Sequence, residues 1–199
     1  MRSRVGSLLA VAATALATVV VVATPASAAP PVSISPGGAA TATAGTTLLQ
    51  VRDADGNITE LTCDSAAATT NLGVSGSKLG DITNTIFENC LLGFIIQFEV
   101  THVGVWELHG SDFNSATGVT DGSITNISAV IEGPGCLASV TGSVPATYTN
   151  GTGVLSVQDD FTLTINSVDA TDDCLGLIHT GDEAAFSGDF AVSPVQTVS

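Results

Sequence analysis

The sequence predicts an all-β fold, an antiparallel β-sandwich or flattened barrel of about eight to ten strands. Three observations carry that prediction. Apolar residues recur at every second position. Phe94, Ile96, Phe98 and Val100 alternate with Ile95, Gln97 and Glu99; Phe161, Leu163 and Ile165 alternate with Thr162, Thr164 and Asn166; Phe186, Phe190 and Val192 alternate with Ser187, Asp189 and Ala191, with Gly188 on the apolar face. Such alternation puts one face of a strand in a core and the other in water. Turn residues separate these runs at the spacing of a sandwich or barrel. Four cysteines, Cys63, Cys90, Cys136 and Cys174, supply the even count of a disulfide-stapled exported chain.

Residues 1–28 read as a secretory signal peptide. Arg2 and Arg4 precede an uncharged run from Val5 to Ala23, Pro25 breaks the run, and Ala26-Ser27-Ala28 offers small residues for cleavage. Residues 29–45, rich in Pro, Gly, Ala and Thr, read as a flexible linker in which Val32–Ser35 is the one stretch able to add an edge strand. A single β domain is expected over 46–199. Its further strands are placed at Thr46–Arg52, Asn57–Cys63, Val103–His109, Ser123–Glu132, Leu137–Tyr148 and Thr152–Asp159. Asn150-Gly151 predicts a hairpin between the last two. Leu79, Ile82, Ile86 and Phe87 fall at near-helical spacing, which makes Leu79–Asn89 the best helix candidate in the chain.

Beyond the leader, 19 acidic residues face only two basic ones, Arg52 and Lys78. A surface this acidic repels phosphate backbones and anionic lipid heads, which argues against nucleic acid or an anionic membrane surface as partner. The expected partner is an unknown extracellular or cell-surface one, and the expected state a monomer. The pairing Cys63–Cys90 and Cys136–Cys174 is favoured among the three connectivities, because each bridge closes a loop within one half of the chain. On chain-entropy grounds each contributes roughly 3.5–4 kcal/mol. No close C-x-x-C pair suggests a metal, and no cofactor is expected.

Residues 53 to 57 read DADGN, and Asp53, Asp55 and Asn57 alternate as in the start of a calcium loop. The match fails on spacing and context. The glycine falls at position 4 rather than 6, Glu60 falls at 8 rather than 12, and the flanks have strand composition. A tight turn between the first two strands, with Gly56 at positive φ, is the leading reading. A looser calcium site on Asp53, Asp55 and Asn57 is the alternative. Asp172-Asp173 and Asp182-Glu183 read as solvated acidic turns.

Catalytic signatures are lacking. His102, His109 and His179 show no metal-ligand spacing, and no G-x-S-x-G elbow occurs. Glu99 and Glu107 are expected on neighbouring strands, where two carboxylates can meet. Trp106 reads as core, and Tyr148, next to the predicted turn, as an exposed ring able to touch a ligand.

The cleavage region ATPASAAP, the Ala/Thr/Gly-rich acidic chain, and the four cysteines with Gly104-Val105-Trp106-Glu107-Leu108 after the second together carry a resemblance. The chain resembles the small secreted all-β proteins of filamentous high-GC Gram-positive bacteria, most without assigned activity. Enediyne-binding chromoproteins and small hydrolase inhibitors share the style, but not the cysteine spacing or the W-R-Y triplet. No functional residue carries over. The function expected is that of an exported non-catalytic protein with a binding or cell-surface role. A secreted inhibitor or small-molecule carrier comes second and a secreted hydrolase third. A dry apolar cavity would favour the carrier, and convergent acids in a cleft the hydrolase.

Overall fold

The computed structural model describes residues 32–73 and 75–199; the leader assigned to residues 1–28 lies outside the described residues. In chain order the strands are β1 (Val32–Ser35), β2 (Gly38–Ala44), β3 (Thr47–Arg52), β4 (Ile58–Leu72), β5 (Ser75–Gly76), β6 (Lys78–Leu92), β7 (Ile96–His102), β8 (Trp106–Asn114), β9 (Val119–Gly133), β10 (Cys136–Thr149), β11 (Val154–Val157), β12 (Leu163–Asp173), β13 (Glu183–Ser193) and β14 (Thr197–Val198). One 3-10 turn, Cys174–Gly176, follows β12. Ten of these strands have six or more residues, in line with the expected number. Among the described residues no helix is long and apolar enough to cross a membrane.

Every pairing is antiparallel, and the pairings close on themselves. The ring runs β4, β6, then β7 and β8 together, β9, β10, then β11 and β12 together, β13, then β2 and β3 together, and back to β4. At three places two shorter strands share the length of a long neighbour. Thus β13 meets β3 through Glu183↔Arg52 and β2 through Ser193↔Thr41. This arrangement gives the barrel two distinct ends. One holds β3, β7, β12 and both disulfides. The other holds β2, β8 and β11 and is covered by a separate three-stranded sheet, β14-β1-β5. Full closure leaves no long unpaired edge in the barrel wall.

The inward faces fill the barrel with one continuous core, in which Ile131, Ile165, Val140 and Val144 are the most deeply buried large side chains. A smaller cluster of Val32, Ile34, Leu79, Tyr148 and Val198 joins the cover to the barrel. The disulfides connect neighbouring strands. Cys63 pairs in register with Cys90 across β4 and β6, and Cys136 on β10 reaches Cys174 just past β12. The pairing favoured from the sequence is the one present.

Several expectations are corrected here. Within the linker expected over 29–45, Val32–Ser35 is the strand β1 that the sequence allowed, but Gly38–Ala44, expected to be flexible, forms the wall strand β2. Ala40, Ala42 and Ala44 of GAATATA face inward and are buried, while Ala39 is exposed, because closure of the barrel turns one face of this strand to the interior. The helix candidate Leu79–Asn89 is part of the long strand β6. One register shift, against β8 between Lys78 and Gly80, accompanies the burial of both Leu79 and Ile82, three residues apart; a second, at Thr83 opposite Thr69/Thr70, turns Thr85 inward and leaves Ile86 exposed, so two slips mimic helical spacing. The alternation beginning at Phe94 starts one step too early, since β7 begins at Ile96 and Phe94 lies in the turn before it. Asn150-Gly151 does open a turn between β10 and β11. Its positive φ falls at Gly153, whose N–H donates to Thr149 O at 2.8 Å.

Candidate functional site

The disulfide end exposes several apolar side chains, among them Phe94, which the sequence alternation placed inside. Between β6 and β7 the chain reverses through Gly93-Phe94-Ile95, with φ of 60° at Gly93 and 67° at Phe94. Phe94 is 79% exposed and Ile95 83%. Beside them the 3-10 turn after β12 presents Leu175 and Leu177, also exposed, and Ile58 projects from the start of β4. Between the two turns lies a shallow groove lined by Leu92, Ile96, Phe98, Pro134, Leu175 and Ile178, of about 20 Å³ when counted as space for the centre of a water-sized sphere.

Two bulky residues here hold left-handed backbone, Phe94 and Leu175 at φ 58°. That conformation costs an L-residue on the order of 1–2 kcal/mol, and persists only where the surroundings enforce it. Both turns lie next to a disulfide. Cys174 adjoins Leu175, and Cys90 lies one short strand end before Phe94. Asp173 further accepts from Leu175 N–H at 3.1 Å. Arg52, which pairs in register with Ile58, spends its charge locally: its Nε donates to Glu183 at 3.0 Å and its guanidinium lies 4.0 Å over the Phe161 ring. The apolar turns therefore have no free cation beside them among the described residues.

The residues singled out from sequence sit as follows. DADGN is the turn joining β3 to β4. Asp53 N–H donates to Asn57 O, Gly56 N–H donates to Asp53 O, both at 3.0 Å, and Gly56 has φ 85°. Asp53 Oδ1 accepts from the N–H groups of Asp55 and Asn57, and its Oδ2 from the Asn57 amide at 2.8 Å. These donors, led by the Asn57 side chain, hold the Asp53 carboxyl below the usual carboxylate range. The Asn57 amide thus offers its nitrogen, not its oxygen, to the would-be calcium site, and Asp55 takes part only through its backbone. Among the described residues no group of three or more His, Cys, Asp or Glu side chains is placed to hold a metal ion. Asp182 departs from the solvated-turn reading. It is buried and accepts from His179 N–H at 2.7 Å.

Glu99 and Glu107 do not meet. The strands β7 and β8 pair with different lengths of β6 and β9, so Glu99 stands opposite Glu132, while Glu107 lies 2.8 Å from Lys78 and 3.2 Å from His109. Lys78, then His109, holds the Glu107 carboxyl low. Tyr148 is not an exposed ring either. It is buried, with its hydroxyl donating to Gln196 O at 2.8 Å and accepting from Gln196 N–H at 3.0 Å, and burial pushes its phenol up. Trp106 is core, as expected. Its Nε1 donates to Ser128 O at 3.1 Å, and the His102 ring stacks on it at 4.2 Å, with burial lowering the His102 pKa.

The interior carries a feature that no motif announced. A cavity of about 70 Å³, counted as space for the centre of a water-sized sphere, lies toward the covered end, and a second of about 30 Å³ toward the disulfide end. Trp106 and Phe186 line both. Native interiors contain few spaces larger than a water molecule.

A family model described as "Alkane oxidation protein activator PraA/PraB-like" matches residues 5–199. No curated protein and no solved structure matches the chain.

Proposed function

The chain belongs to the family of PraA/PraB-like alkane oxidation protein activators, and from that premise we propose that it is an exported, non-catalytic accessory protein that assists alkane oxidation by contacting hydrocarbon through the disulfide end of its barrel. The observation that carries this reading is the pair of apolar turns, Gly93-Phe94-Ile95 and Cys174-Leu175-Gly176-Leu177, exposed to solvent beside the two disulfides. Apolar side chains presented together to water mark an interaction surface. Each such side chain gains roughly 1.5–3 kcal/mol when fully removed from water, so several acting together hold the barrel to an oil surface. The charge is compatible with that choice. Nineteen acids repel anionic headgroups but meet no opposing charge on a neutral alkane. Two disulfides suit an oxidising, non-cytoplasmic compartment, in keeping with the leader read from residues 1–28.

The test uses the mature protein, hexadecane droplets, and alkane-oxidising cells of a strain lacking the protein. The wild type is expected to leave the aqueous phase with the droplets and to raise the rate of alkane consumption when added. The Phe94→Ser/Ile95→Ser variant keeps its circular dichroism and melting curve but adsorbs about tenfold or more weakly. Equal adsorption by that variant, or no effect of the wild type on consumption, would sink the proposal.

A further inference from the structure

We propose that the barrel interior is a second, separate binding site, which takes a small unsubstituted hydrocarbon and is filled from the covered end. This goes beyond the surface contact proposed above and does not depend on it.

The larger cavity exists because small residues stand where large ones would fill it. Ala42, Ala68 and Ala146 face inward from three different strands, among neighbours such as Trp106, Phe186 and Phe190. On the wall formed by β8 and β9 the glycines Gly110 and Gly122 permit the closest approach. A Cβ on Gly122 would lie 2.1 Å from His109 O, and one on Gly110 would lie 2.7 Å from Leu79 Cδ1. A leucine in place of any of the three alanines would project into the space.

The surface of the cavity is almost entirely carbon. Three threonines, Thr70, Thr85 and Thr120, belong to its lining, each more than nine-tenths buried, and their hydroxyl oxygens are sealed in the wall with no hydrogen-bond partner. A buried water requires two to four polar partners and a polar, roomy site, whereas an apolar void of comparable kind stays dry and admits benzene or xenon. Such a benzene-binding cavity measures about 150 Å³. The space here is about half that, 70 Å³, with a further 30 Å³ behind the Trp106 and Phe186 rings. Its occupant is therefore a chain of roughly three to five carbons, or the end of a longer one if those rings turn aside.

The same lining sets the selectivity. A hydroxyl or carboxyl carried into this space would exchange its water for methyl and ring carbons, which is unfavourable without a partner. The site thus accepts a hydrocarbon and disfavours its oxygenated products. Ile34, Gln196 and Val198 of the cover also line the cavity. They belong to the thinnest part of the fold. The strand β14 has two residues; besides its pairing with β1 it is held by the Tyr148 hydroxyl on Gln196 and by the Asn150 side chain, which donates to Val198 O at 2.7 Å and accepts from Val198 N–H at 2.8 Å. Its backbone ladder is short, with two paired positions between β1 and β14 and two between β1 and β5, and this makes the cover the element through which a ligand passes.

Trp106, the one tryptophan in the chain, borders both cavities and reports on them directly. The experiment titrates the folded mature protein with n-pentane and with 1-butanol, which has the same number of non-hydrogen atoms, and follows Trp106 fluorescence. Pentane is expected to give a saturable change, and butanol to bind about tenfold or more weakly. Ala68→Leu and, separately, Ala146→Leu should abolish the pentane response. Phe94→Ser/Ile95→Ser should retain it while losing droplet adsorption, so the interior site and the surface contact fail or stand separately. Should neither leucine variant fold, crystals of the wild type under xenon pressure decide the matter, with xenon density expected between Trp106 and Tyr148. No saturable pentane response, an unchanged response in a folded leucine variant, equal or tighter butanol binding, or a cavity without xenon would each overturn the proposal.

Discussion

The two ends of this barrel are closed by different means. At one end two disulfides join neighbouring strands, and apolar turns with left-handed bulky residues are held out into water. At the other, three short strands lie across the opening, secured by the hydrogen bonds of Tyr148 and Asn150 and by a cluster of five apolar side chains. A covalent link restrains its strands whatever else changes, so the residues beside it are free to be exposed and strained. A hydrogen-bonded cover lacks that restraint, so it can leave and return while the wall stays intact. The first design suits a fixed contact surface and the second an entrance.

The largest test of this contrast is removal of the bridges. Cys63→Ser/Cys90→Ser and Cys136→Ser/Cys174→Ser should each lower the unfolding free energy by about 3.5–4 kcal/mol, measured by urea denaturation. Loss of well under 1 kcal/mol from either pair would mean that the disulfide end does not depend on its bonds. The cover should give a smaller and more local effect. Tyr148→Phe leaves Gln196 N–H and C=O without their partner, at about 1–3 kcal/mol. Its signature is faster amide exchange at Ser33 and Ser199, which bond each other across β1 and β14, while amides in the middle of β9 and β10 keep their protection. A uniform rise in exchange throughout the barrel would show that the cover is no separable unit.

The smallest effects concern pH. The Asp53 carboxyl titrates low in the folded protein. The stability it lends is fully present above the unfolded value near about 4 and is lost as pH falls through its lower folded value. His102 works in the opposite sense. Its folded pKa is lowered by burial, so the unfolded chain takes the proton first and stability declines as pH drops below about 6.5. Melting temperatures of Asp53→Asn and His102→Gln across pH 2.5–7.5 should flatten the low and the near-neutral limb respectively. A wild-type curve that neither substitution alters would remove both assignments.

Much of this fold was legible because its signals are local. Leu163, Ile165, Phe186 and Phe190 alternate with polar residues and are buried as that alternation requires. The four cysteines, two in each half, pair within their halves. The Gly and Asp of DADGN specify a turn by their own backbone chemistry. The rest depended on long-range geometry. GAATATA shows little hydrophobic contrast between its faces, and only the closed barrel makes Ala40, Ala42 and Ala44 a buried row. The two slips in β6 turned a strand's spacing into a helix's. Of the candidate site, the cysteines were legible but their purpose was not. A phenylalanine in an alternating run is assigned to the core by default, and Gly93 was the one local sign that the chain turns at Phe94 itself. The cavity was less legible still, since Ala42, Ala68 and Ala146 are unremarkable singly and matter only because three strands bring them to one place.

The cover also has a bearing on how the molecule is completed. Its strands β1 and β14 meet through Ser33 and Ser199, 166 residues apart, whereas the hairpins β4–β6 and β9–β10 join segments close in sequence. Contacts so distant along the chain form late, because closing the intervening loop is entropically unfavourable until the rest is in place. The wall is therefore expected to assemble first, with its hollow open to solvent, and β1 waits for the arrival of the last residues. A chain that stops a few residues short would still build the barrel and both disulfides. It would lack only the strand that shuts it, so integrity of the final residues, rather than of the core, decides whether the interior is sealed.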